Sequence, residues 1–282
     1  MLFIWIYCNL RGHVLQFTVA VKDEKYIIGG TNMKDYVLEV CVDSVTSAIN
    51  AQKGGATRLE LCGPLLLGGI TPTQGLVKMV KEHTNIPVFA MLRPRIGDFC
   101  YTDSEFEWLL DELDCLLAQD VDGIVCGVLT PHGELDLQKM KVIIDKVHAH
   151  DKHFTLHRAF DMTVDAQKSL KDAISLGVDT ILTAGHQDKA PLGVDCLEAL
   201  IQQANRKVDI LIGSGVTVDN VTYLHQTTGA TSFHLSGATV HAGDMLYKKE
   251  HIHMGLKEFS EYDIRETDEK IIKQMTDILS VL

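Results

Sequence analysis

The stretch Gly229-Ala230-Thr231-Ser232-Phe233-His234-Leu235-Ser236-Gly237 decides the fold, because the chain repeats its pattern. Gly55-Ala56-Thr57-Arg58-Leu59 runs on to Gly63, and Gly177-Val178-Asp179-Thr180-Ile181 runs on to Gly185. Val121-Asp122-Gly123-Ile124 is a shortened copy. Each copy is a turn followed by a short apolar run, the mark of a buried strand. Working outward from these four, strands are expected at Val37–Val42, Arg58–Cys62, Val88–Arg93, Gly123–Leu129, Phe154–Phe160, Thr180–Ala184, Asp209–Gly213 and Ser232–Ser236. Amphipathic segments such as Ser44–Gln52, Ser104–Gln119, Leu137–His150 and Ala166–Leu176 separate them, and Glu266–Leu279 is a closing helix. Strands alternating with helices imply right-handed crossovers and a parallel sheet. The repeat falls on the second, fourth, sixth and eighth strands, and the interior layers of a barrel draw on alternate strands. A doubly wound open sheet predicts no such pattern. The expected fold is a single (β/α)8 TIM barrel of the α/β class.

The chain has 282 residues, 46% hydrophobic and 23% charged, with a formal net charge of −12. That acidity argues against nucleic-acid partners and against anionic membrane surfaces, which need clustered Lys and Arg. The seven cysteines include no CxxC pair, and a domain this large folds without disulfides, so reduced thiols in a cytoplasm are expected. The apolar start Met1–Tyr7 is cut by Arg11, too short to span a membrane. Residues 1–32 are set apart from a barrel domain at 33–282. They read either as a non-barrel N-terminal extension or as leader translated from a misassigned start upstream of Met33.

The period of two along each strand sorts the side chains. Leu59, Leu61, Ile181, Thr183, Phe233 and Leu235 should meet the helices. Glu60, Leu182 and His234 then form one interior layer, with Cys62, Ala184 and Ser236 above it, and Glu39 and Cys41 share the interior face of the first strand. Active sites on this fold lie at the C-terminal mouth. Glu39, Glu60, His157, Asp161 and His234 are the candidates for acid–base chemistry there, since buried Glu and His in a barrel must pair or be costly. Arg93, Arg95 and Arg158, with Gly213-Ser214-Gly215 and Gly237 after the last two strands, are the candidate anion site. Cys41 and Cys62 end adjacent strands, and two soft thiols there could share one Cu(I) ion. Cys115, Cys126 and Cys196 read as apolar filler, and His251 and His253 as surface residues.

Taken together, Glu39-Val40-Cys41-Val42-Asp43-Ser44, Arg58-Leu59-Glu60-Leu61-Cys62, Arg93-Pro94-Arg95, His157-Arg158-Ala159-Phe160-Asp161 and Phe233-His234-Leu235-Ser236 resemble the CutC copper-homeostasis family. The resemblance runs from about Val37 to the C-terminus. It implies a cytoplasmic barrel protein, a homo-oligomer (dimer or tetramer), with Cys41 and Cys62 matching the cysteines proposed as copper ligands. Gly63-Pro64 stands where the family often has Ser-Gly, and Ser214 interrupts what is often a run of three glycines. Two functions are therefore expected in competition. One is Cu(I) binding in copper homeostasis. The other is an enzyme acting on a phosphorylated or carboxylated small metabolite by Glu/His chemistry.

Overall fold

The computed structural model describes residues 5–11, 14–21, 24–32, 36–249, 251–252, 254 and 259–282, those before 36 as backbone only. Met33 and His253 lie outside the described residues. Strands β1 (Trp5–Arg11), β2 (Val14–Val21) and β3 (Glu24–Asn32) pair antiparallel as a sheet of their own. The sequence reading assigns no strand there, because an antiparallel meander shows no strand–helix alternation.

The barrel begins with β4 (Val37–Val42) and α1 (Val45–Gly54), then β5 (Arg58–Leu61) and α2 (Gln74–His83). It continues through β6 (Val88–Met91), α3 (Asp103–Ala118), β7 (Gly123–Cys126) and α4 (Leu137–His148). Strand β8 (His153–Leu156), α5 (Ala166–Leu176), β9 (Thr180–Thr183) and α6 (Val194–Ala204) follow, then β10 (Asp209–Ile212), α7 (Val221–Thr228) and β11 (Ser232–Leu235). Each strand pairs in parallel with the next, and β11 pairs with β4 to close the ring. The eight strands overlap those expected. After β11, β12 (Ala238–Ala242) pairs antiparallel with β13 (Asp263–Thr267), and α8 (Glu269–Leu279) packs against α1. The last helix starts later than expected because Glu266 and Thr267 belong to β13 and Asp268 caps it, its side chain accepting from Lys270 N–H.

The repeat in the sequence is turn chemistry. Gly55, Gly177 and Gly229 end α1, α5 and α7 in the left-handed region, at φ 99°, 81° and 72°, where a Cβ is strained. Two residues on, a polar side chain holds the foot of the neighbouring strand. Thr57 Oγ1 accepts from Leu38 N–H at 2.9 Å, and Asp179 Oδ2 accepts from Phe154 N–H at 2.8 Å. In the shortened copy, Asp122 Oδ2 accepts from Val88 N–H at 2.9 Å. Three of the even strands are thus registered against the strand before them by a local hydrogen bond.

Side chains divide as the period of two requires. Leu38, Leu59, Leu61, Ile181 and Phe233 are fully buried in the shell between barrel and helices. Inside the barrel, Cys62, Phe89, Met91 and Val125 form a separate apolar cluster. No helix among the described residues is long and apolar enough to cross a membrane.

Because β1–β3 have no strand pairing with the barrel, a chain beginning at Met33 should melt close to the full chain. Calorimetry checks this. A fall beyond about 4 °C, roughly 1 kcal/mol for a domain this size, would show that the first sheet supports the barrel.

Candidate functional site

The site is built on three neighbouring strands. The pairing of β11 with β4 and of β4 with β5 sets His234, Glu39 and Arg58 side by side in register. Glu39 is wholly buried. Arg58 Nε donates to its Oε2 at 2.6 Å, and His234 Nδ1 donates to its Oε1 at 2.7 Å. The Arg58 guanidinium also lies over the Phe89 ring, 4.6 Å from its centroid. Burial alone would raise the Glu39 pKa, but Arg58 and His234 more than offset it and hold the carboxyl well below the usual range.

One step along the strands, Cys41 pairs in register with Glu60. Glu60 has no such cation of its own. Burial pushes its pKa up to about 6, the Glu39 charge adding to the rise and the His234 charge opposing it. Its Oε2 accepts from the Cys62 thiol at 3.5 Å and lies 3.8 Å from His234 Nε2, while Oε1 has no hydrogen-bond partner. Cys41, Glu60 and His234 each offer one ligand atom, and these atoms all lie within 4.8 Å of one another. Burial disfavours the imidazolium of His234, yet the Cys41 sulfur and the two carboxylates hold its pKa well above the ordinary value.

The two cysteines do not stand at matching heights. The register opposes Cys41 to Glu60, so Cys62 lies further along its strand, and its sulfur is not part of the three-residue cluster. Cys62 is fully buried. Burial, then the nearby Glu60, push its thiol pKa well up.

Above this floor opens a cavity of about 810 Å³, lined among others by Cys41, Glu60, Cys62, His157, His234 and Ser236. His157 caps the short turn Arg158–Met162, its Nδ1 accepting from Ala159 N–H at 3.1 Å, and packs 4.8 Å from the Phe99 ring. Its Nε2 therefore carries the proton, and it has no acceptor. Burial, helped by the Arg93 charge, drives the His157 pKa down to about 3, so the ring is neutral.

The predicted anion residues separate. Arg93 and Arg158 line the cavity, as do Ser214, Gly215 and Gly237. Arg95 does not. It pairs with Glu105 and Asp98 and holds the N-terminal turn of α3, where Thr102 and Glu105 form a capping box. Gly213 is not among the lining residues either, and a Cβ there would come within 2.5 Å of Leu182 Cδ1, so its smallness serves packing. Asp161 likewise lies off the cavity. It accepts from Arg158 Nε at 2.8 Å and from the N–H groups of Ala184 and His186, which fixes the loop after β9. Arg58 is the residue that sequence reasoning missed. It stands two positions before Glu60, and the same parity that turned Glu60 inward would have found it.

Fold and mouth together define a TIM barrel with a buried carboxylate–histidine–thiol cluster beneath an arginine-rimmed cavity. Residues 36–239 match the CutC family, and the chain belongs to that family. A CutC family protein of Vibrio campbellii is 39% identical over 243 residues, 86% of this chain and 98% of the relative. One from Xylella fastidiosa is 38% identical over 244 residues, 86% of this chain and 88% of the relative. Among solved structures, the CutC protein of Streptococcus agalactiae, provisionally assigned to copper homeostasis, superposes with a TM-score of 0.67 at 28% identity. That match covers 71% of this chain and 98% of the other. Thiamine phosphate pyrophosphorylase of Pyrococcus furiosus, at 17% identity and TM-score 0.51, shares the fold alone.

The two buried carboxylates should answer differently to neutralisation. Glu39→Gln leaves Arg58 and His234 buried without a counter-charge and should cost about 3–5 kcal/mol in urea unfolding. Glu60→Gln should be close to neutral at pH 5. A carboxyl whose pKa is raised in the folded state adds stability that is full below its unfolded value and lost as pH rises through the folded one. Metal-free wild type should thus lose on the order of 1–2 kcal/mol between pH 4.5 and about 6, and Glu60→Gln should remove that slope. Equal losses from both substitutions would contradict this division.

Proposed function

We propose that the chain serves copper homeostasis in the cytoplasm by binding Cu(I) at the floor of the mouth, through Cys41 Sγ and His234 Nε2. The observation that carries this reading is the convergence of Cys41, Glu60 and His234 within 4.8 Å. The donor chemistry fits the ion. A thiolate and an imidazole are the soft and intermediate ligands that Cu(I) selects, and the Glu60 oxygen is too hard to compete with them. His234 also has the support typical of a metal ligand, because Glu39 holds its other ring nitrogen and so fixes the ring. Cys62, further along its strand and with a thiol that ionises reluctantly, is assigned a secondary part. This revises the expectation of a two-sulfur site, and the family resemblance supports copper rather than the particular ligands.

The test is a Cu(I) titration against a chromogenic chelator under reducing conditions. Cys41→Ser and His234→Gln should each weaken binding by more than about 100-fold. Glu39→Gln, acting through the ring it orients, should weaken it by roughly 10–100-fold. Cys62→Ser should change it by less than about tenfold. Loss of binding in Cys62→Ser with retention in His234→Gln would restore the two-thiol site. Wild-type affinity in all four would remove copper from this mouth.

A further inference from the structure

A two-ligand metal site needs no cavity of about 810 Å³, and the walls of this one carry a second set of groups that copper does not use. The first is a loop. Ser214, Gly215 and Val216 follow β10 and line the cavity, and their three consecutive N–H groups have no acceptor among the described residues. The loop is held from outside. Ser214 Oγ donates to Asp188 O at 2.6 Å, Asn220 Nδ2 donates to Gly215 O at 2.8 Å, and Thr217 N–H donates to Asn220 Oδ1 at 2.9 Å. Ser214 and Gly215 both sit at positive φ, 68° and 72°. Successive backbone N–H groups held in such a turn form a concavity for an anion.

The second is Arg93. Its guanidinium donates to the carbonyls of Gly68, Gly69 and Gly97 and stacks over Phe99, so it is positioned, but no carboxylate among the described residues pairs with it. Its Nε lacks a partner. In a chain of net charge −12, an arginine held in place at a cavity without a counter-ion is a site for one from outside. The third observation is chemical complementarity in the buried wall. His157, 4% exposed, offers an N–H donor without an acceptor, and Glu60, 3% exposed, offers an oxygen without a donor. Buried polar atoms are almost always satisfied, and each one left open is a place for a ligand group or water.

From these three we propose that the mouth is a binding site for a small phosphate monoester bearing hydroxyl groups. The phosphate sits against Ser214–Val216 beside Arg158, where Arg158 Nη2 and Ser214 Oγ both donate to Asp188 O, and the hydroxylated portion extends across the ring toward Arg93, His157 and Glu60. Phosphate suits the rim better than carboxylate does, since three backbone donors and a guanidinium match its several oxygens. Asp161 balances Arg158 in part, and Arg93, four strands from β10 in the closed ring, supplies from across the mouth the uncompensated charge that draws an anion in. The proposal stands apart from the copper reading, because apart from Glu60, which borders the floor but is not assigned as a copper ligand, it uses groups on the walls rather than Cys41 and His234.

Isothermal titration calorimetry on the full chain, stripped of metal, tests it with inorganic phosphate, ribose 5-phosphate and ribose as probes. Both phosphates should bind, ribose 5-phosphate at least tenfold more tightly than inorganic phosphate, and ribose should give no heat. Arg93→Gln should weaken ribose 5-phosphate at least tenfold. Arg93 also ties three loop carbonyls, so Thr217→Glu is the companion variant. Thr217 is an exposed lining residue, and a carboxylate there repels the ligand without disturbing the core. It too should cost at least tenfold. No heat from either phosphate up to about 20 mM, far beyond the range in which mass action reveals a specific site, overturns the proposal. So does unchanged affinity in both variants. Equal affinity for phosphate and ribose 5-phosphate overturns the part assigned to His157 and Glu60.

Discussion

The Glu39 carboxylate is the constraint on which the rest of the mouth depends. Each of its oxygens is taken by a different cationic group, Arg58 from β5 and His234 from β11, and none of the three side chains has much access to water. Charges removed from water are tolerated only when geometry and hydrogen bonding are good on every side. The heights of three strands are therefore tied to one carboxylate. Two of those strands, β4 and β11, are the first and last of the barrel, and Glu39 and His234 are 195 positions apart in the chain. Ring closure and site assembly are the same event.

The character of the neighbouring groups follows from that clamp. Arg58 and His234 already serve Glu39, which leaves Glu60 sharing only the far side of His234 and being pushed toward the protonated form by burial. A neutral or half-neutral Glu60 can sit beside the Cys62 thiol, whereas a fully charged one would repel any thiolate there. Higher in the mouth, beyond the end of β6, the balance is reversed. Arg93 has no carboxylate partner among the described residues, and its charge helps keep His157 neutral. The mouth thus has an acidic, histidine-bound floor beneath a rim where a small anion would meet positive charge.

The backbone makes that division durable. His157 caps its own short turn, Asp161 gathers N–H groups of the loop after β9, and Asn220 and Asp188 hold the loop after β10. Polar side chains that would otherwise be candidates for chemistry are here the fixings of loops, which leaves the arginine and the backbone N–H groups free. Preorganised donors of this kind need little rearrangement when a ligand arrives.

Much of this was legible in the chain itself. The eight barrel strands, their alternation with helices and the face to which their side chains turn are local properties. A glycine that closes a helix in the left-handed region, and a Thr or Asp two residues later that caps the neighbouring strand, need only a few residues to be recognised. The period of two then assigns Glu39, Glu60 and His234 to the interior without further information. The relative heights of those residues are not local. Cys41 and Cys62 both end adjacent strands, and only the stagger of the closed barrel sets Cys41 opposite Glu60 and separates the two thiols. The same holds for the arginines. Arg93 and Arg95 are two positions apart and look alike in sequence, but the packing of α3 delivers Glu105 to Arg95, while the Arg93 side chain donates only to backbone carbonyls among the described residues. Local chemistry determines which way a residue faces, whereas register and loop packing, which couple segments distant in the chain, decide what it meets there.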